Sequence, residues 1–119
     1  MKQITKFFKR SEFACQCGCG FNTVDAELLF ILNWLREYFG EPVTVTSGCR
    51  CVAHNAAEGG AKKSFHLTGK AADVKVKNVP AREVFEALAE NFPDEYGFIE
   101  YSTWVHIDSR ETKYHKGLV

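Results

Sequence analysis

A row of leucines at helical spacing predicts the first long helix of the chain. Residues at i, i+4 and i+7 lie on one face of a helix, and Leu28, Leu32 and Leu35 have this spacing. An Asn-Thr pair upstream can cap a helix whose first turn is acidic. We therefore predict that the helix begins at Asn22 or Thr23 and ends at the glycine before the next proline.

A second helix and four strands are predicted from the remaining patterns. Residues 80–92 begin with a proline, which a first helical turn tolerates, and then carry apolar residues four positions apart. Residues 43–46 are β-branched throughout, and residues 71–76 alternate between apolar and polar positions. The apolar runs 98–101 and 104–108 are separated by two polar residues, which predicts a β-hairpin.

The segments between these elements are predicted to be irregular. Residues 1–22 have the pattern of a leader with aromatic anchors, and the polar tail from Ser109 is expected to be loose. Residues 48–69 are glycine-rich and form a predicted loop with one helical turn at residues 53–57; loops of this length are usually functional. Together, these elements predict an α+β fold in which a small antiparallel sheet packs against helices, in a single domain over residues 1–119.

Charge and hydropathy exclude several classes of function. The 119 residues contain 15 basic and 15 acidic side chains, so no basic surface predicts binding to nucleic acid. No run approaches the roughly 20 apolar residues of a membrane span. Residues 1–13 lack the apolar region of a signal peptide. We therefore expect a monomer that is made in the cytoplasm, binds no membrane and acts outside the cell only after release.

The five cysteines leave three possibilities open. Cys15, Cys17 and Cys19 alternate in one segment, and Cys49 and Cys51 form a second C-x-C sequence. They can be reduced or partly paired, they can bind a structural metal, or one disulfide can join the two segments. An odd number argues against a complete disulfide framework, and structural zinc usually prefers a wider C-x2-4-C spacing.

Two histidines and an aspartate have the chemistry of a catalytic zinc site. His66 lies in the glycine-rich loop, Asp73 on the polar face of the next predicted strand, and His106 in a late aromatic strand. Three such ligands leave a coordination position open. Zinc bound there polarises a carbonyl and lowers the pKa of its water to about 7. The alternative from spacing alone is that each histidine is a hydrogen-bonded core or surface residue.

A local motif adds a family resemblance. Residues 64–73 match S-x-H-x-x-G-x-A-x-D at every defined position, and Trp-Val-His ends at His106. On the basis of these two motifs, residues 7–110 resemble the zinc D-Ala-D-Ala carboxypeptidase family. This family includes phage L-Ala-D-Glu endolysins and is structurally akin to the hedgehog domain. The stretch from Ser47 to Lys62 is similar to that of phage and prophage members. The resemblance implies a hedgehog/DD-peptidase-like fold and zinc bound by His66, Asp73 and His106.

The resemblance also implies a role for Arg50 but supplies no general base. Arg50 matches an arginine that steadies the substrate carboxylate or the developing oxyanion in relatives, a task that suits its fork of donors. The acidic or histidine bases of relatives have no counterpart here. We predict Glu100 instead, provided that a three-residue hairpin loop pairs it with His106; a two-residue loop turns it away. Asp108 is the alternative base but is better suited to holding an imidazole.

The predicted function is zinc-dependent hydrolysis of peptidoglycan stem peptides, as a D-Ala-D-Ala carboxypeptidase or an L-Ala-D-Glu endopeptidase. The resemblance to phage members favours an endolysin of a phage or prophage. Two alternatives remain. One is a binding module that keeps the fold and the zinc without turnover, as the missing family base allows. The other is a phage tail protein that opens the cell wall locally with the same chemistry.

Overall fold

The computed structural model describes residues 5–60 and 64–118. Within these ranges the three α-helices are α1 (Ala26–Phe39), α2 (Val52–Ala57) and α3 (Ala81–Asn91), and two 3₁₀ helices span Arg10–Phe13 and Phe65–Thr68. The five strands are β1 (Val43–Ser47), β2 (Ala71–Val76), β3 (Gly97–Glu100), β4 (Val105–Asp108) and β5 (Tyr114–Lys116). The predicted α+β fold, with its helices packed on a small sheet, is confirmed.

The strands form one sheet in the order β1-β2-β4-β3-β5. All neighbouring pairs are antiparallel except β3 and β5, which run parallel. Because β2 pairs with β4, the central strand of the sheet, residues far apart in sequence become direct neighbours across these two strands. Asp73 is opposite His106 in this register.

One face of the sheet carries the hydrophobic core. The apolar positions of β2, including Ala72, Val74 and Val76, are buried against α1 and α3. The predicted leucine stripe of α1 is fully buried, and Val84 and Leu88 of α3 are buried with it. The opposite face of the sheet is therefore free to carry polar side chains.

The first helix begins later than predicted. Its N-cap is Asp25, whose carboxylate accepts a hydrogen bond from the backbone of Leu28. The prediction of a start at Asn22 or Thr23 is wrong because a tertiary contact holds Asp25 in an extended conformation. The backbone N–H of Asp25 donates to the carbonyl of Gly69, which lies just before β2. The C-terminal end is as predicted, at Gly40 in the left-handed conformation.

The tail is ordered, contrary to the prediction that it is loose. Residues 114–116 form β5 and extend the sheet beyond β3. His115 packs on the ring of Phe98 with centroids 4.8 Å apart, and it lies within hydrogen-bond distance of the carbonyl of Glu95. A three-residue polar edge strand has no periodicity of its own, so only its tertiary partner reveals it.

The glycine-rich segment between β1 and β2 contains more structure than one turn. The predicted helical turn at residues 53–57 is present as α2, and a 3₁₀ helix follows at Phe65–Thr68. Residues 61–63 lie outside the described part of the chain. No helix among the described residues is long and apolar enough to cross a membrane.

Candidate metal centre

The polar face of the sheet brings Asp73 and His106 together. The two residues are direct cross-strand partners on β2 and β4, a relation that places side chains on one face within contact. The carboxylate oxygen Oδ1 of Asp73 lies 3.2 Å from Nδ1 of His106. Alternation along β2 turns this carboxylate away from the buried valines, as the sequence predicts.

His66 reaches the same point from the 3₁₀ helix that precedes β2. Ser64 caps that helix, its hydroxyl accepting a hydrogen bond from the backbone of His66. The imidazole is buried, and its Nδ1 lies 2.6 Å from the carbonyl oxygen of Gly48. Since a carbonyl can only accept, Nδ1 carries the proton and Nε2 offers its lone pair. That Nε2 lies 3.5 Å from Oδ1 of Asp73.

The distances between these three ligand atoms fit a bound zinc ion. All three atoms lie within 4.8 Å of one another. A tetrahedral zinc with bonds of about 2.0–2.2 Å holds its ligand atoms about 3.3–3.6 Å apart. The distances from Asp73 Oδ1 to the nitrogens of His66 and His106 are close to that range. The structure therefore brings the three predicted ligands together in a set of the right chemistry and size.

A carboxylate behind His106 fixes the orientation of its ring. Nε2 of His106 lies 2.8 Å from Oδ2 of Asp108, which is fully buried. The ring therefore donates from Nε2 and presents the lone pair of Nδ1 to the metal centre. Holding the imidazole is the role that the sequence favours for Asp108 over that of a base. A buried carboxylate without an exposed oxygen cannot exchange a proton with substrate.

Arg110 binds the carboxylate of Asp108, and Gly97 leaves the space that this carboxylate occupies. The guanidinium of Arg110 donates twice to Asp108, with both distances 2.7 Å. Burial alone would raise the pKa of Asp108, but the hydrogen bonds from Arg110 and His106 hold it well below its usual range. The carboxylate lies directly over Gly97 on β3, where any Cβ would collide with its oxygens. Only glycine leaves room for this arrangement.

The ionisation of the ligands makes metal binding depend on pH. Burial alone would raise the pKa of Asp73, but hydrogen bonds with His106 and His66 hold it well below its usual range. Burial alone would lower the pKa of His106, but the carboxylates of Asp108 and Asp73 raise it. Asp73 is therefore ionised, whereas His106 must lose a proton before its Nδ1 can bind a metal. Metal binding consequently releases protons and weakens as the pH falls.

Arg50 lies at the second oxygen of Asp73. Its Nη2 is 3.4 Å from Oδ2 of Asp73, and the rest of its fork is held by Ser47 and Asn55. The backbone N–H of Arg50 donates to the carbonyl of His66. These bonds fix Arg50 at the wall of the metal centre.

The position of Glu100 contradicts its prediction as the general base. Tyr101 donates its backbone N–H to Trp104, so the hairpin loop has two residues and Ile99 is the partner of His106. Glu100 consequently lies on the core face of the sheet, buried, where its carboxylate contacts Arg82 and the backbone of Leu118. The prediction is wrong because two polar residues suffice to close this turn.

A cleft of about 430 Å³ opens over the metal centre, a size typical of ligand sites. Tyr101 and Trp104 form one wall, with stacked rings 4.7 Å apart. Glu58, at the end of α2, lines the cleft as well. Among the described lining residues it is the carboxylate that does not belong to the ligand set. The sequence offers no signal for it beyond its place in the glycine-rich loop.

The comparison with protein families agrees with this centre. The comparison with curated proteins finds no significant match. A family model described as Peptidase M15 matches residues 6–108. The match covers strands β1 to β4 and the three ligand residues, and the peptidases of this family are zinc-dependent. The chain therefore belongs to the Peptidase M15 family of zinc metallopeptidases.

Proposed function

We propose that this M15 peptidase hydrolyses the stem peptides of peptidoglycan, with His66, Asp73 and His106 as its zinc ligands. The observation that carries the proposal is the convergence of two oriented imidazole lone pairs and one carboxylate oxygen at the floor of a cleft. Zinc bound there supplies a Lewis acid and lowers the pKa of water to about 7.

The cleft is suited to a peptide that carries carboxylates. Arg50 and Arg110 line it together with the aromatic wall, and stem peptides bear a free carboxylate at their end and another on D-Glu. Arg50 stabilises either such a substrate carboxylate or the negative charge that develops on the scissile carbonyl oxygen. The guanidinium is preorganised for this because Ser47 and Asn55 already hold it.

Glu58 is the general base in this proposal. It takes the proton of the attacking water and passes it to the leaving amine. It replaces Glu100, which faces the core. Its carboxylate is 3.7 Å from Nε2 of His54, one turn earlier on α2, and that imidazole helps to orient it.

The expected result of a direct assay is zinc-dependent cleavage of purified muropeptides. Mass spectrometry of the products identifies the bond: loss of a terminal alanine marks a carboxypeptidase, and cleavage after the first L-Ala marks an endopeptidase. A chelator should abolish cleavage and added zinc should restore it. If the zinc-loaded protein cleaves neither bond but still binds the muropeptides, the alternative of a silent binding module is correct.

The setting of the activity is part of the proposal. The similarity of residues 47–62 to phage and prophage members favours a lysis enzyme that is made in the cytoplasm and reaches the wall after release. A phage tail protein that opens the wall locally uses the same chemistry. Genes adjacent to this one distinguish the two, since a lysis enzyme is expected beside a holin and a tail protein beside other tail components.

We expect the substitution Asp108→Asn to weaken zinc binding. Asparagine keeps the shape of the side chain but loses the charge that orients His106 and pairs with Arg110. Loss of such a partner behind a ligand typically costs about 10–100-fold in metal affinity or activity. Competition with a chromogenic chelator measures the zinc affinity, and Asp94→Asn, on an exposed loop, is the control. An unchanged affinity in a folded Asp108→Asn protein contradicts this role.

A further inference from the structure

Four of the five cysteines converge at a second point of the molecule. The sulfur atoms of Cys15, Cys17, Cys19 and Cys51 all lie within 4.8 Å of one another. Three of the separations are 3.4 Å for Cys15–Cys17, 3.8 Å for Cys15–Cys51 and 3.6 Å for Cys17–Cys51. The fifth, Cys49, does not belong to this set; it is buried, with its sulfur 3.2 Å from the carbonyl oxygen of Phe21.

These separations match a tetrahedral metal–thiolate site. Zinc–sulfur bonds of about 2.3 Å place the sulfurs of a tetrahedral site about 3.8 Å apart. A disulfide needs two sulfurs about 2.0 Å apart and gives no reason for two further sulfurs to approach the same point. A structural metal requires ligands that converge on one point, as these four sulfurs do. Of the three possibilities that the sequence leaves open, this arrangement favours the structural metal over reduced cysteines and over a disulfide.

The backbone explains how closely spaced cysteines can share one metal. Cys15 and Cys19 have the C-x3-C spacing that structural zinc accepts, and Cys17 lies between them. Gly18 and Gly20 have φ values of +83° and +91°, a region that glycine adopts freely. The chain can therefore turn at two points within residues 15–20. Cys51 completes the set from the N-cap position of α2.

Backbone amides support the sulfurs as ligands. The N–H of Cys51 lies 3.4 Å from the sulfur of Cys15, and the N–H of His54 lies 3.4 Å from the sulfur of Cys51. Such donors stabilise negative charge on a ligand and fix its direction. Cys15 is buried, whereas Cys17 and Cys19 are exposed, so a metal can enter from solvent.

We propose that Cys15, Cys17, Cys19 and Cys51 bind a second, structural zinc ion. Each thiol releases its proton to solvent on binding, and no oxidant or reductant is needed. The ion ties the leader to the segment that follows β1. That segment contains Gly48, whose carbonyl orients His66, and Arg50, which contacts Asp73. The structural zinc therefore stabilises the wall of the catalytic centre without taking part in catalysis.

The test is a zinc count on protein purified under reducing conditions. Native mass spectrometry should find two zinc ions in the wild type and one in the double variant Cys17→Ser/Cys19→Ser, whose substitutions are at exposed positions. The control Cys49→Ser should keep two ions, because its hydroxyl can still donate to the carbonyl of Phe21. His66→Ala should lose only the catalytic ion. The count thus separates failure of this proposal from failure of the proposed function.

Spectroscopy on the wild-type protein supplies a second measurement that needs no variant. Cobalt bound to four thiolates gives intense charge-transfer absorption, which should persist in His66→Ala and disappear in Cys17→Ser/Cys19→Ser. Zinc should also protect Cys17 and Cys19 from a thiol reagent until a chelator is added. A single zinc ion that Cys17→Ser/Cys19→Ser leaves in place, or rapid modification of both thiols in zinc-loaded protein, overturns the proposal.

Discussion

The substitution His66→Ala is expected to abolish peptidase activity. The imidazole is buried and contributes one of the three ligand atoms of the centre. Without it, zinc is held by two protein ligands and dissociates. The pKa of the attacking water then rises from about 7 toward that of bulk water, so we expect a loss of about 10³-fold or more in kcat/KM. The measurement is hydrolysis of a stem peptide, with the zinc content determined on the same sample.

A substitution at a histidine outside the metal centre is the matched control, because it removes an imidazole that is not a ligand. His115→Ala removes an imidazole that contacts Phe98 and Glu95 at the other end of the sheet, and it should retain zinc and activity. Circular dichroism checks that both variants fold. If folded His66→Ala kept its catalytic zinc and its rate, the assignment of the metal centre would be wrong.

The ligand set was predictable because local pattern and the family motif together identify its members. Alternation along residues 71–76 is enough to place Asp73 on the face opposite the core, and the motif supplies His66 at a fixed distance before it. The pairing of Asp73 with His106 is different, since strands 30 residues apart can adopt several registers. The resemblance supplied His106 as a ligand, and the register of the sheet, which the sequence did not predict, places it opposite Asp73.

The features that were not predictable depend on tertiary contacts or on a single residue of register. The face of Glu100 is decided by whether the hairpin loop has two or three residues, because a shift by one residue moves every side chain of a strand to the other face. The place of Glu58 in the cleft and the ordering of β5 depend on packing between distant segments. The cysteine cluster depends on two glycines whose positive φ values no periodicity reveals.

Glu58→Gln is expected to lower kcat and leave the metal centre intact. Glutamine preserves the size of the side chain but cannot accept the proton of the attacking water. Loss of a general base typically costs about 10²–10⁴-fold. Glu58 is not a ligand, so zinc content should be unchanged, and KM should change little if the residue acts on the proton and not on substrate binding. Steady-state kinetics on a stem peptide, with metal analysis, measure all three quantities.

Glu100→Gln is the matched control, because it makes the same chemical change on the opposite face of the sheet. Its carboxylate contacts Arg82 and the backbone of Leu118, so the substitution should reduce stability slightly and leave kcat close to wild type. The two substitutions are thus expected to have opposite effects on kcat: Glu58→Gln lowers it and Glu100→Gln leaves it close to wild type. If Glu100→Gln were inactive and Glu58→Gln active, the two-residue hairpin loop could not describe the catalytic state. A three-residue loop, which places Glu100 beside His106, would then be required.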